Sequence, residues 1–223
     1  PVVEEPVASL ADAKVFRERF SLGDVPVVLC LPGSRVSEIR QLTPVFKETL
    51  KKIREQRPEV RFVLPAAVEV ISQLRALTSD WDDDIIILDP QDRKLRETLV
   101  QKRAAFRAAD GALAASGTVS LELAASETPM VIGYDMGWVS RQIIGRLITT
   151  DTVTLVNLVS ETREVPEFIG AHCTPANLAK ALIDTLDEPD RQLKAMQDTM
   201  KRLGKGASLP GERAARSVLN FIY

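Results

Sequence analysis

Short runs of apolar residues alternate with longer amphipathic segments along the 223-residue chain. The short runs are continuous rather than alternating, as in strands that are covered on both faces of a sheet. The longer segments repeat their apolar positions every three or four residues, which is typical of helices. This order predicts an α/β fold, a Rossmann-like doubly wound parallel sheet with C-terminal helices. The predicted strands are residues 25–31, 60–64, 85–88, 112–115, 130–134 and 153–156.

The helices are expected between and after these strands. One long helical region, which ends at about Arg57, contains Pro44 in its interior. Proline has no backbone N–H and breaks a helix in its middle. Thr43 as an N-cap and Pro44 as the first residue of a second helix would explain this position. The other predicted helices are residues 8–20, 67–77, 91–107, 118–126, 138–148, 175–187, 189–203 and 211–222.

The chain divides into three predicted parts. Residues 1–22 form a linker and a first helix, residues 23–203 form the Rossmann-like domain, and residues 204–223 form a hinge and a C-terminal helix. The first six residues include two prolines and do not begin with Met, so we expect a fragment of a longer chain or a processed product.

Composition narrows the class of protein. The net charge of −2 argues against a nucleic-acid partner held by bulk electrostatics. No apolar stretch approaches the roughly 20 residues that a membrane span needs. The single histidine, His172, has no cluster of ligand-type residues around it, so no metal site is expected. Cys30 lies in an apolar run and is interpreted as a buried hydrophobic residue, which suits a cytoplasmic protein.

Two glycine-containing loops, Gly33-Ser34-Arg35 and Ser116-Gly117-Thr118, follow the first and fourth predicted strands. With the common strand order 3-2-1-4-5-6, ligands bind between strands one and four, where the order reverses. Glycine lets the backbone approach a phosphate, hydroxyls add donors, and arginine can hold a phosphate through two N–H groups. Together the loops predict a diphosphate site, although each alone is equally well explained as a tight turn.

Glu122 follows the second loop at an informative distance. A capping box places the acid three residues after the N-cap. The interval is four residues from Thr118 and six from Ser116, so capping by either residue does not account for Glu122. We interpret Glu122 as an acceptor for ribose hydroxyls, with a favourable interaction with the helix N-terminus as the alternative.

Several well-known motifs are absent from the sequence. It contains no G-x-G-x-x-G after a strand and no G-x-x-x-x-G-K-[ST], which argues against a nicotinamide or flavin cofactor and against a P-loop ATPase. It also contains no G-x-S-x-G elbow, which argues against a hydrolase. We therefore expect no cofactor.

Four segments, taken in order, resemble those of the lipid-A-disaccharide synthases. Four ordered motifs are more specific than any one glycine-rich loop, and the similarity runs from about residue 25 to 170. The segments are Leu31-Pro32-Gly33-Ser34-Arg35 with Glu38-Ile39 and Leu42-x-Pro44; Ala115-Ser116-Gly117-Thr118-Val119-Ser120-Leu121-Glu122 with Thr128-Pro129-Met130-Val131; Val156-Asn157-Leu158; and Val165-Pro166-Glu167-Phe168.

The resemblance implies an inverting glycosyltransferase of the GT-B type, which has two Rossmann-like domains. The implied reaction joins UDP-2,3-diacylglucosamine to 2,3-diacylglucosamine 1-phosphate, a lipid X type acceptor, and releases UDP. Residues 23–203 resemble the second domain, which holds the UDP-sugar. The general base is expected in the missing N-terminal domain, so this chain would be inactive by itself.

The resemblance also implies roles for individual residues. Arg35 would stabilise the charge that develops on the leaving UDP. Gly117 and Thr118 would present backbone donors to the diphosphate, Glu122 would hold the ribose, and Asn157 would lie near the cleft. The remaining substrate-binding candidates are Gly33, Ser34 and Ser116.

Two further positions follow from the resemblance. Backbone near Leu88-Asp89 would meet the uracil. The family usually has glutamine where this chain has Gly170, so any contact made by that glutamine would be absent.

The predicted helix at residues 138–148 bears on the site of action in the cell. It carries an apolar stripe flanked by Arg141 and Arg146, which fits either contact with anionic lipid or packing in the core. The expected location is the cytoplasm, at the inner face of the inner membrane if the lipid contact exists. A homodimer is left open, as are two other functions: another UDP-sugar enzyme such as an epimerase, or a non-catalytic nucleotide-binding module.

Overall fold

The computed structural model describes residues 2–81, 84–92, 95–135 and 152–206, and the single positions 211, 215 and 219. In this part of the chain, six parallel strands form one sheet in the order β3-β2-β1-β4-β5-β6. The predicted doubly wound parallel sheet is confirmed, and its strand order is the common one for this fold. The strands are β1 (Val27–Leu31), β2 (Arg61–Pro65), β3 (Ile86–Leu88), β4 (Gly111–Ala115), β5 (Met130–Tyr134) and β6 (Glu167–Ile169).

Helices cover both faces of the sheet. The helices α2, α3 and α7 pack on one face, and α1, α4, α5, α6 and α8 pack on the other, as the two hydrophobic clusters show. Over the described residues the helices are α1 (Leu10–Arg19), α2 (Val36–Gln56), α3 (Ile71–Leu77), α4 (Leu95–Ala108), α5 (Val119–Ala125), α6 (Leu155–Ser160), α7 (Pro175–Asp187) and α8 (Asp190–Arg202).

The strand β1 shows why its sequence is continuously apolar. Val27 and Leu29 point into one hydrophobic cluster, whereas Val28 and Cys30 point into the other. Every residue of the strand is therefore buried, as expected for a central parallel strand. Burial also raises the pKa of the Cys30 thiol, because the thiolate would lose its hydration. The interpretation of Cys30 as a buried hydrophobic residue is confirmed.

The first helix belongs to the same core as the sheet. Ser9 and Asp12 form a capping box at its start. Arg17 donates through Nε to the carbonyl oxygen of Ala108 at 3.0 Å and through Nη2 to Asp110 Oδ2 at 2.6 Å. These bonds join α1 to the end of α4 and to the turn before β4. The domain boundary after residue 22 stays a prediction.

The expected second helix at Pro44 is wrong. The structure contains one continuous helix, α2, with Pro44 inside it. Thr43 is not a cap; it is buried in the middle of the helix. The cause is tertiary: Ile39, Phe46 and Ile53 form a fully buried stripe against the sheet, and burial of that stripe outweighs the hydrogen bond that proline removes.

The predicted sixth strand is also in the wrong place. Most of the segment 153–156 lies at or within the start of α6, and the sixth strand is β6, which pairs with β5 from Ile132↔Glu167 onward. The Glu167 carboxylate accepts hydrogen bonds from the Thr152 hydroxyl at 2.6 Å and from the Thr154 N–H at 2.7 Å. These bonds fasten the segment before α6 beside β6 instead of placing it in the sheet.

Several predicted features lie outside the described residues. The helix at 138–148 is among them, as is nearly all of the helix at 211–222. Within the described ranges, no helix is long and apolar enough to cross a membrane.

Candidate functional site

A cleft of about 440 Å³ opens at the carboxyl ends of strands β1 to β4. The two glycine-containing loops face each other across it, because β1 and β4 are paired neighbours at the point where the strand order reverses. Of the predicted site residues, the cleft is lined by Gly33, Ser34, Arg35, Ser116, Gly117, Thr118 and Glu122.

The Gly33 loop is shaped by Glu38, which folds back from the first turn of α2. Gly33 has a φ of +124°, and a Cβ at this position would lie 2.6 Å from Glu38 Oε2. Glycine is therefore required here both for its backbone conformation and for the close approach of the carboxylate. The N–H groups of Ser34 and Arg35 both donate to Glu38 Oε2, at 3.0 and 3.3 Å.

Glu38 also holds the Arg35 side chain. Arg35 Nη1 lies 2.7 Å from Glu38 Oε1, with the arginine side chain 79% exposed and the glutamate 14% exposed. An internal carboxylate thus occupies the donors that the sequence assigns to a phosphate. The interval of three residues from Arg35 to Glu38, just before the apolar stripe of α2, is the capping-box spacing that could have predicted this contact.

The Gly117 loop leaves its backbone open to the cleft. Gly117 has a φ of +154°, and nothing in the described structure lies within 4 Å of the position a Cβ would take. Ser120 closes the turn by donating from its hydroxyl and its N–H to the Gly117 carbonyl, at 2.9 and 3.2 Å. Thr118 makes no side-chain capping bond to α5. Gly117 and Thr118 are both exposed and both line the cleft.

Glu122 is paired with Lys102, a residue that belongs to no motif in the sequence. Lys102 Nζ on α4 lies 2.6 Å from Glu122 Oε2, and both side chains line the cleft at 38% and 34% exposure. This pairing accounts for Glu122 better than a capping interaction does. Lys102 has no local sequence signal, because it stands twenty residues before its partner on another helix.

The structure does not bring Asn157 to the cleft. Asn157 is 1% exposed, and its amide forms a matched pair of bonds with the Val165 backbone: Nδ2 donates to the Val165 carbonyl at 2.9 Å, and Oδ1 accepts from the Val165 N–H at 3.0 Å. Its contacts hold the chain before β6 against α6. The expected position near the cleft, carried over from the family, has no support in these contacts.

Glu167 lies beside Asn157, whose Nδ2 is 3.2 Å from Glu167 Oε1. Burial by itself would raise the pKa of Glu167, but hydrogen bonds from the Thr152 hydroxyl and from the backbone N–H groups of Val153 and Thr154 bring it below its ordinary value. The carboxylate is therefore held in its charged form.

The region expected to meet uracil borders the cleft. Pro90, which follows Leu88-Asp89, lines the cleft. The Asp89 carboxylate is buried and turned away to its own neighbours, with Oδ1 accepting from the Gln91 N–H at 2.7 Å and Oδ2 paired with Arg75. Contact with a base at this end stays a prediction.

Solved structures of similar shape are sugar-nucleotide enzymes and glycosyltransferases. Anabaena Alr3699/HepE, solved in complex with UDP and glucose, superposes with a TM-score of 0.59 at 12% identity, covering 96% of this chain and 53% of that one. ADP-heptose LPS heptosyltransferase II of E. coli gives 0.58 at 13% identity, covering 82% and 53%. At such identities the likeness shows the fold alone, which is that of one Rossmann-like domain of a GT-B glycosyltransferase.

Sequence relatives are closer. The lipid-A-disaccharide synthase of Ruegeria pomeroyi is 48% identical over 222 residues, which is 100% of this chain and 55% of the relative. That of Nitrobacter winogradskyi is 37% identical over 225 residues, which is 100% of this chain and 54% of the relative. The chain therefore spans about half the length of the curated relatives it matches.

The model of the family described as Lipid-A-disaccharide synthetase matches residues 9–219 of this chain. The matched region contains both glycine loops, Glu122 and the sheet that positions them. The chain belongs to the lipid-A-disaccharide synthetase family.

Proposed function

We propose that this chain is the donor-binding part of a lipid-A-disaccharide synthase. The whole enzyme would transfer 2,3-diacylglucosamine from UDP to 2,3-diacylglucosamine 1-phosphate, giving lipid A disaccharide 1-phosphate and UDP. The observation that carries the proposal is the cleft, in which both glycine loops and Glu122 meet at the switch point of the sheet. Family membership supports the identity of the donor.

The cleft offers separate groups for the two parts of UDP. The open backbone at Gly117 and Thr118, with the hydroxyl of Ser116 nearby, suits the diphosphate. Glu122, on the first turn of α5, accepts hydrogen bonds from the ribose hydroxyls. The cleft has a volume of about 440 Å³, which falls within the roughly 300–1,000 Å³ of small-molecule sites.

Arg35 has the role closest to the chemistry. When the bond between the anomeric carbon and the UDP oxygen breaks, negative charge grows on the terminal phosphate. An exposed guanidinium at the cleft can turn from Glu38 to that phosphate and hold it through two N–H groups, with Ser34 and the Gly33 backbone beside it. A lysine at this position would lack the forked geometry.

The remainder of the enzyme is proposed from the family resemblance. Residues 23–203 form the donor domain, and a preceding domain supplies the general base and the acceptor site. We place the protein in the cytoplasm, with segment 138–148 against the inner face of the inner membrane. A liposome-binding assay that compares the wild-type chain with a Trp138→Ala, Arg141→Ala, Arg146→Ala variant tests the membrane contact; equal binding would contradict it.

Calorimetric titration with UDP tests the proposed function. Arg35→Ala and Glu122→Gln should each weaken binding by about ten-fold or more, because each removes a charged hydrogen-bonding partner worth about 1.5–3 kcal/mol. Arg40→Ala is the matched control, since Arg40 is exposed on α2, the helix that follows the Gly33 loop, but does not line the cleft. Equal affinity in all variants would contradict the site.

A further inference from the structure

The ion pair between Lys102 and Glu122 stands on the wall of the cleft where α4 passes α5. We propose that Lys102 is a positioning residue: it fixes the Glu122 carboxylate for the ribose and neutralises its charge beside the diphosphate. The proposal rests on the proposed function, because it takes the ligand of the cleft to be UDP.

The geometry leaves half of the carboxylate available. Lys102 Nζ contacts Glu122 Oε2 at 2.6 Å, and the described residues give Oε1 no hydrogen-bond partner. A carboxylate accepts hydrogen bonds through both oxygens. One oxygen is thus anchored by the protein while the other remains free to accept from a ribose hydroxyl at the cleft surface.

Lys102 is itself held in place by the core. Its Nζ lies 5.2 Å from the ring centroid of Phe106, one turn further along α4, and Phe106 is fully buried. A cation above an aromatic face is attracted by the ring. The helix therefore holds the lysine backbone in place, and the ring attracts the ammonium group. Both contacts position the ammonium group to pair with a carboxylate.

The neighbouring charged side chains do not compete with Glu122 for Lys102. On the far side of the pair, Lys102 and Glu122 also line a small cavity with Glu5 of the N-terminal segment. Glu5 is the other carboxylate near Lys102 there, and it lies 3.5 Å from Arg103 instead. Around this cavity, Glu5 pairs with Arg103 and Glu122 pairs with Lys102. Lys102 is the cation of these two that also lines the cleft.

Charge gives a second reason for the pair. A bare carboxylate on the same wall as the Gly117 loop would repel the diphosphate that the loop is proposed to bind. Lys102 compensates that charge without occupying the loop. The site can then use an acid to recognise the ribose and still accept an anionic ligand.

The experiment is a calorimetric titration of the 223-residue chain with UDP and with 2′,3′-dideoxy-UDP, which lacks both ribose hydroxyls. We expect the wild-type chain to prefer UDP. Lys102→Met should weaken UDP binding by about ten-fold, the scale of one charge-assisted contact. It should also reduce the preference for UDP over the dideoxy analogue. Lys102→Arg should restore part of both, because it returns a cation to Glu122.

A double-mutant cycle separates positioning from direct contact. Glu122→Gln combined with Lys102→Met should bind UDP no more weakly than Glu122→Gln alone. If the double variant loses a further ten-fold, Lys102 contacts the phosphates directly and the inference is overturned. Thermal unfolding of each variant confirms that it is folded, and Lys51→Met, on the exposed face of α2, controls for the removal of a lysine.

The two proposals fail in different ways. A wild-type chain that binds no UDP overturns the proposed function and this inference with it. If the wild-type chain binds UDP and Lys102→Met keeps the full preference for the ribose hydroxyls, the inference alone is overturned.

Discussion

At the scale of single residues, Glu38 shows that the Gly33 loop is built to hold an anion. Two backbone N–H groups and the Arg35 guanidinium converge on its carboxylate. Such a convergence at the start of a long helix favours negative charge. A phosphate that uses the same donors must displace Glu38, so this residue sets part of the cost of binding.

Glu38→Gln should therefore tighten UDP binding. Glutamine keeps the size and one acceptor oxygen but loses the charge, and a neutral hydrogen bond contributes about 1 kcal/mol less than a charged one. We expect about five-fold higher affinity by calorimetry. Glu55→Gln, an exposed position at the other end of α2, is the control. Weaker binding in Glu38→Gln would mean that Glu38 holds the loop in its binding shape.

The contacts of Asn157 indicate a structural role, whereas the family resemblance implies a position near the cleft. Asn157→Ala would leave both the N–H and the carbonyl of Val165 without their partner in a buried setting. The expected loss in the free energy of unfolding is about 2–4 kcal/mol, measured by urea denaturation.

The same variant should bind UDP with unchanged affinity, because Asn157 does not line the cleft. Asn177→Ala is the matched control; that side chain is exposed and donates to the His172 carbonyl at 3.0 Å, so its loss should be small. A variant of Asn157 that stays fully stable but loses UDP binding would return this residue to the ligand site.

At the scale of elements, local pattern predicts a segment well when its burial is uniform. Strand β5 begins and ends where the apolar run does, at Met130 and Tyr134. The sequence does not predict strand β6, because Glu167 stands at its start and the partners that satisfy this carboxylate lie 13 to 15 residues earlier. The second helix expected at Pro44 is wrong for a related reason: packing of the whole helix outweighs the local cost of the proline.

The start of β6 should make stability depend on pH. The pKa of Glu167 in the folded chain lies below its ordinary value of 4.5, so the folded state favours the charged form. The resulting stabilisation is fully present above about pH 4.5 and is lost as the pH falls through the lower, folded pKa.

Glu167→Gln removes the stabilisation that the charged carboxylate provides. The difference in unfolding free energy between wild type and variant should therefore be largest near pH 7 and shrink below about pH 4.5. Urea titrations between about pH 7 and pH 3 measure it. Glu55→Gln is again the control. A difference that stays constant across this range would show that the Glu167 charge is not what fastens residues 152–154 to β6.

At the scale of the whole molecule, strand order decides which loops meet. The sequence predicts the doubly wound sheet, and the order found is the common one for that fold. The cleft between β1 and β4 follows from it, together with the residues of both loops and Glu122. The ion pair from Lys102 and the return of Glu38 were not predicted. Lys102 reaches the cleft from a different helix, and the motif that contains Glu38 does not indicate which groups its carboxylate contacts.

Binding and transfer should separate in this chain. The cleft is proposed to bind the nucleotide, whereas the chain spans about half the length of its curated relatives and the general base is proposed to lie in the other half. We expect the chain to bind UDP in calorimetry and to form no disaccharide from radiolabelled UDP-2,3-diacylglucosamine and 2,3-diacylglucosamine 1-phosphate. The full-length Ruegeria pomeroyi relative serves as the positive control in the same assay. Disaccharide formed by this chain alone would place the base among its own residues, and Glu38, Glu69 and Glu122, the carboxylates that line the cleft in the described part of the chain, would be the first to replace.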